Sequence, residues 1–176
     1  LKEEHVTFLR ALDFPGLSIQ VSLDGVTPRT HDLVRGEGAF IGALLGIEML
    51  VRAGLAGRIS IFFTEMRHNL DEIPALLDFA DRMGIGSVSS GAMVQCGRAA
   101  ETSMVAPPGV GQYLCLVDKY NHDAHFRDLY AKIGTVAMLE WLKGETVRQD
   151  CCTLIENPYL TPVGRLYPCL MCHADE

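Results

Sequence analysis

Apolar residues recur with helical spacing at Val6, Leu9 and Leu12, which predicts a helix over residues 2–12. Residues 17–23 are short and β-rich and end at Asp24-Gly25, a turn signal, so a strand is expected there. A second helix follows over 38–53, with Phe40, Leu44, Ile47 and Val51 on one face and a stop at Gly54. Ile59, Ile61, Phe62 and Phe63 make residues 58–64 a buried strand. The third helix runs from Asp71 to about Met83 and is capped by Gly84. Asn69 and Glu72 have the spacing of a capping box, but a helix opened there places Pro74 at its fifth position and deletes a needed hydrogen bond. Asn69 therefore belongs to the loop that leaves the strand. Residues 85–92 complete a third strand.

The order is α-β-α-β-α-β, with connections too long for hairpins. This alternation implies an α/β fold with a parallel sheet covered by helices. Three strands make either a small sheet or a partial parallel (β/α) barrel of about three βα units. Residues 101–112 read as a loop, and two helices are expected over 111–120 and 124–143, the second ended by Gly144. From residue 151 onward the helical period is lost, and three prolines and four cysteines crowd into 26 residues. The expected organisation is thus residues 1–100 as barrel, 101–148 as linking helices and 149–176 as a small cysteine-rich hairpin region.

Composition narrows the function classes. Apolar residues make up 48% and charged residues 21% of the 176, as in an ordinary globular domain. The longest apolar run, Phe40 to Val51, falls far short of the ~20 residues that span a bilayer. No basic-then-apolar leader opens the chain, so a cytoplasmic setting without membrane attachment is expected. The opening Leu1 in place of Met points to a trimmed piece. A net charge of −7 without any Lys/Arg cluster argues against a nucleic-acid partner.

Four of the six cysteines lie in the tail, at 151, 152, 169 and 172. Residues 159–161 and 166–167 can pair as a hairpin around Pro162-Val163-Gly164, which returns the chain and brings Cys152 toward Cys169. The two-residue gap between Cys169 and Cys172 lets both reach one metal centre. Thiolates at such spacing suit zinc or an iron–sulfur cluster. Adjacent side chains in an extended segment point to opposite faces, so either Cys151 or Cys152 faces the metal. Reduced, incidental thiols are the plain alternative.

The tail resembles the opening of the SPASM domain, on Cys152, Gly164 and Cys169 with Asn157, Thr161-Pro162 and Tyr167-Pro168 around them. The first part is similar to the second half of the barrel of radical S-adenosylmethionine enzymes. Residues 19–25 (IQVSLDG), with His31-Asp32, Arg35-Gly36 and Gly38-Ala39-Phe40, resemble its fourth strand and following helix. Residues 61–69 (IFFTEMRHN) and 94–99 (VQCGRA) resemble its fifth strand and the end of its sixth. The resemblance implies S-adenosylmethionine and a 4Fe–4S cluster as cofactors, with Cys152, Cys169 and Cys172 as auxiliary-cluster ligands. It implies a radical oxidoreductase that modifies peptides or proteins, or builds cofactors. The family's CxxxCxxC loop, which holds the radical-generating cluster, is absent, so the piece as given is expected to be inactive and the activity to belong to a longer parent.

By the same resemblance Ser22 contacts S-adenosylmethionine. It sits at the carboxyl end of its strand, where parallel barrels put ligands, and its hydroxyl both donates and accepts. Ser22 equally suits a strand-to-loop turn. Arg35, in the loop entering the next helix, resembles the arginine that pairs with the cofactor carboxylate, a contact its bidentate guanidinium favours. Thr64 and Asn69 lie on the same expected edge, although Asn69 also suits a loop-holding role. Arg98 follows the third strand, as a cofactor or substrate contact or as a surface ion pair. Asp24-Gly25 is read as fixing the turn, His31 and His68 as structural, and Cys115, Met138 and Trp141 as core.

A second reading is a non-catalytic α/β module whose zinc or iron–sulfur knuckle binds a protein or peptide. An open barrel side leaves an unpaired strand, which predicts a homodimer through that edge.

Overall fold

A computed structural model describes residues 1–12, 14–95, 99–143 and 159–167. It divides into two compact units, residues 1–142 and 143–176. The first unit runs α1 (Glu3–Ala11), β1 (Ile19–Ser22), α2 (Pro28–Arg35), α3 (Ala39–Arg52), β2 (Ile59–Glu65), α4 (Ile73–Arg82), β3 (Ser87–Ala92), α5 (Val110–His122), α6 (Ala124–Ile133), β4 (Gly134–Thr135) and α7 (Ala137–Lys143).

The four strands form one parallel sheet in the order β1-β2-β3-β4. This is the expected α/β arrangement of a partial βα barrel. The period of two along β2 decides which side carries the core. Ile59, Ile61, Phe63 and Glu65 are buried, while Ser60, Phe62 and Thr64 between them are only partly covered. Register extends both rows. Ile61 lies beside Val21 and Val88, and Phe62 beside Ser22 and Ser89.

The helices pack on the first row. In α4, Ile73, Leu76, Leu77 and Ala80 are all buried, at the i, i+3, i+4, i+7 spacing of one helical face. Phe40, Ile47 and Leu50 of α3 join the same core. The opposite face is the open one. Gln20 and Thr135 are exposed on it, and small hydroxyl residues line it, with Ser87 Oγ donating to Ser60 Oγ at 3.0 Å.

Three expectations are corrected. Residues 124–143 are not one helix: α6 ends at Ile133, and Gly134 and Thr135 pair with Val88 and Ser89 as a fourth strand. At Gly134 a Cβ would stand 2.9 Å from the Tyr130 ring and 3.0 Å from its Cα, so the chain can fold back there only with glycine. Arg35 is not in a loop but is the last residue of α2. Thr27 caps that helix by accepting from the Thr30 N–H, and Pro28 occupies its first turn, where no donor is needed. Cys115 and Trp141 are exposed, not core, because Leu116 and Leu139 hold the buried positions of α5 and α7.

α4 starts as the position of Pro74 requires, with Pro74 in its first turn and a short 3-10 turn (Leu70–Glu72) before it. Among the described residues of the second unit, β5 (Tyr159–Leu160) and β6 (Leu166–Tyr167) pair antiparallel around Gly164, whose φ is 82°. No helix among the described residues is long and apolar enough to cross a membrane.

Candidate functional site

The carboxyl ends of β1 and β2 are tied together by one buried side chain, Asp24. It is 0% exposed and all four of its polar positions are bonded. Its N–H donates to His31 Nδ1 at 3.0 Å, and its carbonyl accepts from Asn69 Nδ2 at 3.0 Å. Its carboxylate accepts from the Thr64 N–H at 2.8 Å through Oδ1 and from Arg35 Nε at 2.6 Å through Oδ2. Burying a carboxylate is costly unless it is paired and hydrogen-bonded, and both conditions are met here.

Gly25 lets α2 sit down on this knot, since a Cβ at that position would lie 2.6 Å from Thr30 Cβ. Glu72 adds a second tie. It accepts from the Val26 N–H at 2.6 Å and from the Thr30 hydroxyl at 2.6 Å.

This clamp sets the sequence-predicted residues in place. Ser22 ends β1, and Thr64 is the penultimate residue of β2, on the same open face. Neither hydroxyl bonds another described residue. Arg35 is brought to the same edge by Asp24. Its side chain is 38% exposed, and among the described residues only its Nε is bonded, so both terminal nitrogens remain open donors. Asn69 is buried and fully engaged, accepting from the Met66 N–H and donating to the Asp24 and Thr64 carbonyls. It holds the loop and has no donor left for a ligand. Arg98, Cys152, Cys169 and Cys172 lie outside the described residues, as do Cys96 and Cys151.

His31 is structural. Its Nδ1 accepts a hydrogen bond, so the neutral ring carries its proton on Nε2. Burial pushes its pKa below the ordinary 6.5, with Arg35 acting in the same direction and Asp24 and Asp32 opposing. A depressed pKa means the fold favours the neutral ring. That contribution is complete above pH 6.5 and is lost as pH falls through the lowered value. We expect the urea midpoint to drop as pH falls below 6.5, and to drop less in His31→Asn, whose Oδ1 replaces Nδ1 as acceptor without titrating. Identical pH profiles for the two proteins would refute this assignment.

A second polar knot, which no local pattern in the chain signals, lies behind β2. Glu65 is 1% exposed and accepts from Ser90 Oγ at 2.5 Å and from the Tyr113 hydroxyl at 3.0 Å. Ser90 Oγ in turn accepts from the Ala137 N–H at 3.1 Å. Burial, then the nearby Glu65 carboxylate, pushes the Tyr113 phenol up to about 12. Glu65, Ser90 and Tyr113 face the helices, so this knot fixes α5 and α7 and does not serve the open edge.

The arrangement therefore offers two hydroxyls and a prealigned guanidinium at the ligand edge of a parallel sheet. Such a set suits a molecule carrying a ribose and a carboxylate. No protein-family model matches the chain. Over 103 residues it is 34% identical to mycofactocin maturase MftC of Mycobacterium ulcerans, covering 58% of this chain and 27% of that protein. Over 108 residues it is 37% identical to the AdoMet-dependent heme synthase of Methanosarcina barkeri, covering 61% and 30%. MftC of Mycobacterium tuberculosis is 37% identical over 82 residues, 46% and 20%. These relatives are radical S-adenosylmethionine enzymes, in agreement with the resemblance read from the motifs. The chain spans less than a third of the length of the curated relatives it matches.

Proposed function

We propose that this chain forms part of the S-adenosylmethionine-binding barrel of a radical enzyme that matures a peptide or builds a cofactor. The observation that carries the reading is the β1–β2 edge, where the Ser22 and Thr64 hydroxyls and the terminal nitrogens of Arg35 bond no other described residue within one clamp. Ser22 and Thr64 would meet the ribose and Arg35 the methionine carboxylate. Asp24 holds the guanidinium still before the cofactor arrives, so less ordering is required on binding. When bound beside a reduced cluster, S-adenosylmethionine supplies the radical that takes a hydrogen atom from substrate; the protein's part is positioning and electrostatics. Asn69 and His31 act only by fixing that edge.

For the tail, we assign Cys152, Cys169 and Cys172 to an auxiliary iron–sulfur cluster. The support is their spacing and the observed pairing of Tyr159 with Tyr167, which turns the chain back between the two cysteine groups.

One preparation tests both parts. In anaerobic equilibrium dialysis, Ser22→Ala/Thr64→Val is expected to bind S-adenosylmethionine about five- to tenfold more weakly, as two lost hydrogen bonds imply. Its melting temperature should not change, because neither hydroxyl bonds another described residue. Equal binding by the variant and the parent protein would remove these residues from the site. Iron and acid-labile sulfide are expected in the same sample and lost in Cys169→Ala. Stoichiometric zinc without iron would replace the cluster by a zinc knuckle.

A further inference from the structure

A cavity of about 490 Å³ lies on the helix side of the first unit, between the loop leaving β2 and helix α5. That volume is within the range of small-molecule sites. Its floor is apolar, with Leu70 and Leu116 buried beside Pro74. Its walls are held by backbone bonds. Gln112 Nε2 donates to the Arg67 carbonyl at 2.7 Å, and the Arg67 N–H donates to the Ala106 carbonyl at 2.8 Å.

The charges on the rim are unusual. Arg67 and Asp71 both line the cavity, yet neither forms an ion pair with the other or with any described residue. Lys119, the remaining charged residue there, is already paired with Asp123 at 3.1 Å. The cavity thus presents one open guanidinium and one open carboxylate above an apolar floor.

His68 stands beside Arg67 on the same wall. Both of its ring nitrogens are buried and have no hydrogen-bond partner among the described residues. Native proteins seldom leave such groups unbonded, because the lost hydration is not replaced. The ring also borders a second cavity of about 410 Å³, lined by Thr27, Thr30 and Glu72. A ligand that reaches the ring from the first cavity and supplies a hydrogen-bond partner therefore recovers that free energy on binding.

We infer that the cavity between the β2 loop and α5 binds an apolar α-amino acid, or the equivalent zwitterionic unit of a larger molecule. Arg67 receives the carboxylate, with His68 donating to it. Asp71 receives the ammonium group, and the side chain lies on Leu70, Pro74 and Leu116. The site is separate from the Ser22–Arg35 edge and stands whether or not that edge binds S-adenosylmethionine.

The exposed thiol of Cys115 lies on the cavity wall and reports occupancy. Its alkylation by iodoacetamide, followed by peptide mass spectrometry, is expected to slow saturably with added L-phenylalanine. N-acetyl-L-phenylalanine lacks the ammonium and L-phenylalaninamide lacks the carboxylate, and each should protect at least about tenfold less effectively. Arg67→Gln and Asp71→Asn, at exposed positions, should raise the half-protecting concentration by about the same factor. Ser22→Ala/Thr64→Val should leave it unchanged. Absence of protection by L-phenylalanine would overturn the assignment, as would equal protection by either derivative or undiminished protection in both rim variants.

Discussion

Asp24→Ala is expected to lower the unfolding free energy by about 3 kcal/mol, near the lower end of what breaking a buried ion pair costs. Two effects add. The Thr64 N–H, which the carboxylate receives at 2.8 Å, is left without an acceptor at the end of a core strand. Arg35 loses the only bond that a described residue makes to its guanidinium. Because Arg35 is 38% exposed, water receives part of that charge, which keeps the figure from reaching the upper end. The backbone bonds of Asp24 to His31 and Asn69 survive the substitution, so the loop is weakened without being released. Urea denaturation measures the loss. A double-mutant cycle with Arg35→Ala should show that the two costs do not add, with a coupling of at least about 1 kcal/mol. Additive costs, or an Asp24→Ala loss below about 1 kcal/mol, would mean that the clamp is not what holds this edge. S-adenosylmethionine binding should weaken together with stability, since Arg35 is then no longer held at the edge.

This clamp marks the limit of what the chain discloses when read in order. Strand ends can be read locally, because apolar alternation stops at Asp24-Gly25 and after Phe63. That places Ser22 and Thr64 correctly on one edge of a parallel sheet. Asp24 itself reads as an ordinary turn residue, because its side-chain and backbone partners lie 7, 11, 40 and 45 residues away and meet only after the sheet assembles. α2 is a different kind of miss. Its Thr27-Pro28 start is a local helix signal. Its eight residues, however, carry too few apolar positions to show a helical period. β4 is only two residues long, too short for any alternation, and exists because β3 offers it an edge. Asn69 was legible as a loop residue, but whether its amide faced a ligand or the backbone depended on the distant carbonyl of Asp24.

The sharpest test of which face belongs to the core and which to a ligand comes from two neighbouring phenylalanines of β2. Phe63 is 0% exposed among the helices, so Phe63→Ala removes a full aromatic side chain from a close-packed interior. Such truncations cost about 3–5 kcal/mol, the transfer term plus the cavity left behind. Phe62 points to the open face and lies across Gly91, where a Cβ would come within 2.9 Å of its Cζ. Its burial is partial, so Phe62→Ala should cost only about 1–2 kcal/mol. Chemical denaturation of both variants measures the contrast, and ligand binding should invert it. Phe62 shares its face with Ser22 and Thr64, so Phe62→Ala should weaken S-adenosylmethionine binding in dialysis, whereas Phe63→Ala should do so only where the protein begins to unfold. Equal stability losses at the two positions would show that both faces of β2 are packed. The open, hydroxyl-lined face on which the cofactor reading depends would then be closed to a ligand.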